Sequence, residues 1–155
     1  MAVAVANAGH ILLVDDDPDL RRSLAEVLED EGFEVSCATN GEEALDALAG
    51  DAPNAILLDL TMPIMDGWTF RERQRHDPRL AHIPTVVISA AYFDARAVEG
   101  LEADAFLAKP FEIARLTETL QRLCRDARAA PGGQPARGVK AAARAVRAAA
   151  PRSRR

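Results

Sequence analysis

The feature that most restricts the fold of this sequence is an alternation of two hydrophobic periods along residues 10–127. Between short apolar runs, apolar residues recur at helical spacing, as in Leu20, Leu24 and Leu28. The runs themselves are typical of strands buried on both faces of a parallel sheet, and they lie at His10–Val14, Ala55–Leu58 and Pro84–Ser89, with weaker ones at Phe33–Ala38 and Asp104–Ala108. Five strand–helix units in this order predict a doubly wound α/β domain, with one parallel sheet and helices on both faces.

The ends of the helices are marked as well. Asp17 followed by Pro18 is typical of an N-cap and a first helical position, and Gly32 of the residue just past a helix. The pattern predicts a second helix ended by Gly50, a third from Trp68 to about His76, a fourth near Asp94–Leu101 and a fifth from Ile113 to about Ala127.

Charge divides the chain into two parts. Residues 1–126 hold all 24 acidic residues and 11 of the 19 Lys and Arg, a net charge of −13, whereas 127–155 hold eight basic residues and no acidic one. We therefore predict a flexible N-terminal segment over 1–9, one domain over 10–127, and a basic, disordered tail over 128–155 that is rich in Ala, Arg, Pro and Gly. An acidic domain argues against nucleic-acid binding by the domain itself, which leaves any polyanion or acidic partner to the tail.

Cysteine usage and hydropathy bear on location. Cys37 and Cys124 show neither metal-ligand nor disulfide-framework spacing, and no apolar run approaches the ~18 residues of a membrane span. With no export signal at the opening residues, the chain is expected to be soluble and cytoplasmic.

Polar residues stand where the predicted strands end. Asp15 and Asp16 follow the first strand, Asp59 the third and Lys109 the fifth, and Ser89 ends the fourth. Ligands of such sheets bind beyond the carboxyl ends of the strands, so these side chains are expected to converge.

Clustered carboxylates repel one another unless a cation shares the site. Mg²⁺ binds through one or two carboxylates and takes phosphate oxygens at its remaining positions. A carboxylate can be the nucleophile in phosphoryl transfer, while an ammonium neutralises the phosphoryl oxygens. The residues thus predict Mg²⁺-dependent phosphoryl chemistry.

Four motifs, in order, carry a resemblance: ILLVDDDPDLRRSL, AILLDLTMPIMDGWTF, IPTVVISA and FLAKPF. With them, residues 10–127 resemble the receiver domain of two-component response regulators, including the single-domain chemotaxis type. The resemblance implies a flavodoxin-like (βα)5 fold of strand order 2-1-3-4-5, with the site at the switch point between the first and third strands.

The resemblance also assigns roles at the metal site. It makes Asp59 the phosphoacceptor and a Mg²⁺ ligand, Asp16 a direct ligand, and Asp15 a ligand through metal-bound water. The backbone carbonyl of Thr61 matches the remaining protein ligand.

Three further roles follow from the resemblance. Lys109 matches the phosphate-binding lysine, whose bond to Pro110 is cis in the family. Ser89 matches the switch hydroxyl that turns toward the phosphoryl group, and Phe106 the aromatic side chain that changes rotamer with it.

The implied function is phosphorelay signalling. A histidine kinase or histidine phosphotransfer protein would donate the phosphoryl group, and an effector would read the surface of the fourth helix, fifth strand and fifth helix. The protein would catalyse its own phosphorylation and dephosphorylation and no other reaction. Two alternatives stay open: a haloacid-dehalogenase-type phosphohydrolase, with Asp15 and Asp17 as its DxD motif, and a phosphorylation-independent scaffold of the same fold.

The chain departs from the family pattern around the fourth helix. The stretch between Ser89 and Lys109 is about two residues shorter than is usual, and Glu102 stands where the family usually has Gly. Thr61 and Ala91 occupy the two positions where the family places side chains that align the hydrolytic water, and neither is an acid or an amide. A slowly decaying phosphorylated state is therefore expected.

Overall fold

The computed structural model describes residues 7–90 and 95–129. Strands and helices alternate there as predicted, in the order β1 (Gly9–Val14), α1 (Pro18–Asp30), β2 (Phe33–Ala38), α2 (Gly41–Leu48), β3 (Ala55–Asp59), α3 (Gly67–His76), β4 (Thr85–Ala90), α4 (Ala95–Glu99), β5 (Ala105–Lys109) and α5 (Ile113–Ala129). Most of the predicted N-terminal segment and nearly all of the predicted tail lie outside the described residues. No helix in the described ranges has the length and apolar composition that crossing a membrane requires.

The five strands form one parallel sheet in the order β2-β1-β3-β4-β5, which confirms the predicted order. In its register, Val14 pairs with Leu58, and Asp59 with Ile88. The carboxyl ends of β1 and β3 therefore lie side by side, at the point where the strand order changes direction.

Alternate strand residues pack against helices on opposite faces of the sheet. Ile11 and Leu13 of β1 belong to a buried cluster with Leu24 of α1 and Leu116 of α5. On the other face the core joins β1 and β3 to α2 and α3, through Leu12, Val14, Ile56, Leu58, Ala44 and Phe70. Both faces of the sheet are thus covered, as its nearly continuous apolar strands require.

The predicted boundaries of α1 are confirmed. Oδ1 of Asp17 accepts hydrogen bonds from the backbone N–H groups of Asp19 (3.0 Å) and Leu20 (3.2 Å), and Pro18 is the first helical residue. Gly32, just past the helix, has φ +93°, a conformation that suits glycine.

Three strands end one residue later than the sequence predicts, and in β4 the last residue is Ala90 rather than Ser89. Asp59 is the last residue of β3 and Lys109 the last of β5, rather than the first residue after each strand. The reason is that the ladder continues through both, since Asp59 pairs with Ile88 and Lys109 with Ala90. Asp104 lies before β5, and its Oδ2 accepts the backbone N–H of Thr85 at 2.8 Å.

A buried arginine joins α3 to the loop between α4 and β5. Arg71, 4% exposed, donates to the backbone carbonyls of Leu101 (2.9 Å) and Glu102 (2.7 Å) and to the side chains of Gln74 and Thr85. Glu102, the residue that replaces the usual glycine, has φ +49°. The arginine thus fixes a turn whose backbone is unfavourable for a side-chain-bearing residue.

Candidate functional site

Four of the five polar residues predicted at the strand ends converge as expected. One carboxylate oxygen from each of Asp15, Asp16 and Asp59 lies within 4.8 Å of the other two. Nζ of Lys109 lies 3.6 Å from Oδ2 of Asp15 and 3.6 Å from Oδ1 of Asp59. The peptide bond between Lys109 and Pro110 is cis, as the resemblance implied. Three carboxylates and one ammonium therefore share the edge of the sheet next to the switch point.

Asp15 is held through both its backbone and its side chain. Its N–H donates to the carbonyl of Ala38 (3.1 Å), its carbonyl accepts from Nη1 of Arg21 (2.8 Å), and its Oδ1 accepts from the N–H of Asp17 (2.9 Å). Its Oδ2 is buried and has no hydrogen-bond partner among the described residues. An unsatisfied carboxylate oxygen that faces an ammonium and two further carboxyl groups is suited to bind a cation.

Asp59 is buried, with 5% of its surface exposed, and its Oδ1 accepts the backbone N–H of Leu60 at 2.9 Å. Burial, followed by the charge of Asp15, raises the pKa of Asp59 to about 6. Burial also raises the pKa of Asp15. The ammonium of Lys109 opposes both shifts without cancelling them. With three carboxyl groups and one ammonium, the site has more acidic groups than its own cation can neutralise.

The loop that follows Asp59 is fixed by a glycine. A Cβ on Gly67 would lie 2.3 Å from the carbonyl oxygen of Asp59, so no larger residue fits there. The N–H of Gly67 donates to the carbonyl of Leu60 (2.9 Å), and the side chain of Asp66 caps α3 by accepting from Thr69. Helix α3 can therefore begin directly beside the phosphoacceptor position of the resemblance.

For the remaining predicted residues, the described part of the chain shows no hydrogen bond to this cluster. Ser89 is 1% exposed, and its Oγ has no hydrogen-bond partner among the described residues. Thr61 is exposed on the loop after β3. Phe106 packs in a third cluster with Leu60 of the same loop and Val98 of α4. The structure thus brings together Asp15, Asp16, Asp59 and Lys109, and leaves the hydroxyl of Ser89 unengaged.

The donor set fits a hard divalent cation. All three acidic residues offer oxygen, the ligand atom that Mg²⁺ prefers, and one buried oxygen is otherwise unsatisfied. Exposed Asp16 leaves the cluster open to solvent on one side. A cation bound there could keep waters or take phosphate oxygens at its remaining positions.

The contact between Arg21 and the carbonyl of Asp15 was not predicted from the sequence. The pattern places Arg21 on α1, one turn after the N-cap, but does not show which way its guanidinium reaches. The only available signal was a basic residue within a helical turn of an acidic loop, and Arg22 shares that signal.

The sequence of this chain is similar to those of many known proteins. A family model described as the response regulator receiver domain matches residues 11–121. Among curated proteins, the chain is similar to Response regulator Rre1 of Synechocystis sp., with 37% identity over 116 residues, or 73% of this chain and 50% of Rre1. The chain therefore spans about half the length of that relative.

Solved structures agree with the fold. The signal receiver domain of a signal transduction histidine kinase from Syntrophus aciditrophicus matches with a TM-score of 0.74 and 30% identity, over 80% of this chain and 96% of that one. The receiver domain of the sensor histidine kinase PA1611 from Pseudomonas aeruginosa matches with a TM-score of 0.70 and 28% identity, over 76% and 98%. The latter structure is described as having a magnesium ion coordinated in the active-site cleft.

Proposed function

This chain belongs to the response regulator receiver domain family, and from that premise we propose that Asp59 accepts a phosphoryl group in a Mg²⁺-dependent reaction. The observation that carries the proposal is the approach of the Asp59 carboxylate to Lys109, with Asp15 and Asp16 completing the cluster. Its function as a phosphorelay regulator follows, because an acyl phosphate changes the charge at the end of β3 and can change the surface around it.

Asp59 and Lys109 supply the chemistry of transfer. An oxygen of Asp59 attacks the phosphorus, the bond between phosphorus and the histidine nitrogen of the donor breaks, and the electron pair leaves with that nitrogen. Nζ of Lys109, already 3.6 Å from Oδ1 of Asp59, is positioned to neutralise an oxygen of the transferred group. The catalysis that we propose is limited to the protein's own phosphorylation and dephosphorylation.

The metal ligands are proposed from the same cluster. Asp16, Asp59 and the backbone carbonyl of Thr61 would hold Mg²⁺ directly, and Asp15 would act through a metal-bound water. When bound, the ion supplies positive charge to phosphoryl oxygens that three carboxylates would otherwise repel. The unsatisfied Oδ2 of Asp15 supports this assignment.

The switch is proposed to run from Asp59 to the α4–β5–α5 surface. The hydroxyl of Ser89 is free to turn toward a phosphoryl group, because it has no hydrogen bond to lose among the described residues. Leu60, whose N–H bonds to Asp59, packs in the same cluster as Phe106 and Val98. Rearrangement of this cluster would alter the face of α4 that an effector contacts.

The phosphohydrolase alternative is not favoured. It requires Asp17 as the second acid of a DxD motif, but the carboxylate of Asp17 is exposed and accepts two backbone N–H groups at the start of α1. Asp17 is therefore explained as a cap. A scaffold that works without phosphorylation is the remaining competitor, and labelling separates it from the proposal.

The experiment uses acetyl phosphate with Mg²⁺, followed by intact-mass measurement. We expect wild type to gain one phosphoryl group, Asp59→Asn to gain none, and the exposed control Asp46→Asn to behave like wild type. Steady release of phosphate without a labelled intermediate would favour a hydrolase. Absence of labelling in wild type would favour the scaffold.

Partners and location are part of the proposal. The phosphodonor would be a histidine kinase or a histidine phosphotransfer protein in the cytoplasm, where two cysteines that form no disulfide, Cys37 and Cys124, suit reducing conditions. The basic residues beyond Ala129 would contact a polyanion or an acidic partner. Truncation after Ala129 should leave folding and labelling intact and remove any salt-sensitive binding to heparin, used as a polyanion probe.

A further inference from the structure

Arg21 makes a contact that the chemistry of phosphoryl transfer does not require. From α1, its Nη1 reaches back to the end of β1 and donates to the carbonyl oxygen of Asp15 at 2.8 Å. That bond closes the β1–α1 loop, which carries Asp15 and Asp16, onto the helix that follows it. Both carboxylates of the loop are among the three that gather at the sheet edge.

The contact is directed at the backbone although carboxylates are available. Among the described residues Arg21 forms no ion pair, and the site carboxylates pair instead with Lys109. The charge of Arg21 also affects Glu43. Hydrogen bonds from Thr39 lower the pKa of Glu43, and the charge of Arg21 lowers it to a smaller extent. The guanidinium of Arg21 is thus a cation whose hydrogen-bond partner among the described residues is a neutral carbonyl, that of Asp15.

The remaining contacts of Asp15 show what the arginine adds. The N–H of Asp15 is fixed by Ala38 and its Oδ1 by the N–H of Asp17, so the carbonyl is the last backbone group of this residue to be held. With it held, the peptide that links Asp15 to Asp16 has little freedom to rotate. The directions of both side chains depend on that peptide, because each leaves from one end of it.

We propose that Arg21 is a positioning residue for the metal site: by holding the carbonyl of Asp15, it orients the carboxylates of Asp15 and Asp16 toward a divalent cation. This rests on the proposed function only in its choice of Mg²⁺ as the cation. The hydrogen bond and the positive charge of Arg21 are expected to have opposite effects on Mg²⁺ affinity. Loss of the hydrogen bond should weaken Mg²⁺ binding, whereas loss of a nearby positive charge should strengthen it.

Because these two effects on Mg²⁺ affinity have opposite signs, a substitution of Arg21 with a matched control tests the proposal directly. Calorimetric titration of the full chain with MgCl₂ at fixed ionic strength would compare wild type with Arg21→Gln and with Arg22→Gln, an exposed arginine on the same helix. We expect the dissociation constant to rise roughly three- to tenfold for Arg21→Gln, the value of one hydrogen bond. For Arg22→Gln we expect less than about a twofold change. Unchanged or tighter binding by Arg21→Gln would overturn the proposal.

A charge-conserving variant separates the hydrogen bond from the charge. Arg21→Lys loses the rigid guanidinium fork but keeps the positive charge, so it has no compensating gain from lost charge, and we expect its dissociation constant to be at least as high as that of Arg21→Gln. Should Arg21→Gln fail to fold by far-UV circular dichroism, Arg21→Lys carries the test, and wild-type affinity in that variant would overturn the proposal.

A kinetic readout addresses positioning further. With acetyl phosphate, the Mg²⁺ concentration for half-maximal labelling should rise in Arg21→Gln while the rate at saturating Mg²⁺ stays close to wild type. A fall in the saturating rate alone would contradict a role in metal binding. Failure of wild type to label while still binding Mg²⁺ would refute the proposed function without touching this inference, whereas failure of wild type to bind Mg²⁺ would refute both.

Discussion

The carboxyl group of Asp59 should destabilise the metal-free domain at neutral pH, so that Asp59→Asn is more stable than wild type. Its pKa is raised from the ordinary 3.8 to about 6, first by burial and then by the charge of Asp15. The folded state therefore binds this proton more tightly than the unfolded chain does. As pH rises from about 4 to about 6, the proton is lost and the free energy of unfolding falls with it.

The size of the effect follows from the shift. A difference of about two pKa units corresponds to about 2–3 kcal/mol, present nearly in full at pH 7.5 and nearly absent at pH 3.5. Asparagine keeps an oxygen that can accept the N–H of Leu60 but carries no charge. Asp59→Asn should therefore exceed wild type by about that amount at pH 7.5 and match it at pH 3.5.

Urea denaturation with EDTA, followed by circular dichroism between pH 3.5 and 7.5, measures the difference between the two proteins. Asp46→Asn removes the same charge from an exposed position of α2 and should show no such window. Added Mg²⁺ should stabilise wild type far more than Asp59→Asn, because it binds the folded carboxylates. A difference that is independent of pH, or a less stable Asp59→Asn at pH 7.5, would refute the reasoning.

Three other predictions concern the metal, the phosphoryl lifetime and the buried network. Asp16→Asn should weaken Mg²⁺ binding in a calorimetric titration far more than Asp17→Asn, which should leave stability nearly unchanged because asparagine also caps helices. Equal effects on Mg²⁺ would contradict the assignment. The phosphorylated wild type should decay slowly, and the double variant Thr61→Asn/Ala91→Glu, whose second position lies outside the described residues, should decay faster when followed by intact mass without donor; equal decay would show that these positions do not set the lifetime. Arg71→Met should lower the free energy of unfolding by roughly 3 kcal/mol in urea, because several buried acceptors lose their donor; a neutral effect would show that the network rearranges.

The parallel sheet and the cluster of polar residues at its edge could be predicted because both follow from the order of apolar and polar residues along the chain. Apolar runs mark the strands, and the polar residues at their ends must meet once the strands are parallel. The sequence pattern ends each strand at its last apolar residue and therefore places Asp59 and Lys109 one residue outside their strands. The hydrogen-bonded ladder of the sheet nevertheless continues through both polar residues. No local signal distinguishes that case from a loop.

The arginine contacts could not be predicted for a different reason. Arg21 and Arg71 bind backbone carbonyls that come within reach only after the chain has folded, and a carbonyl has no sequence signature. For Arg71 the helical pattern is misleading as well, since a charged side chain is ordinarily expected on the exposed face, whereas here it is 4% exposed. The sequence shows that Glu102 departs from the family pattern, but only the structure shows that Arg71 holds its carbonyl.

The central claim is that Asp59 itself carries the phosphoryl group. After labelling with acetyl phosphate and Mg²⁺, reduction with borohydride converts an aspartyl phosphate to homoserine, and peptide mass spectrometry then locates the converted residue. The account predicts homoserine at position 59 in wild type, none when Mg²⁺ is replaced by EDTA, and none at Asp15 or Asp16. Conversion at another carboxylate while Asp59 stays intact would contradict it.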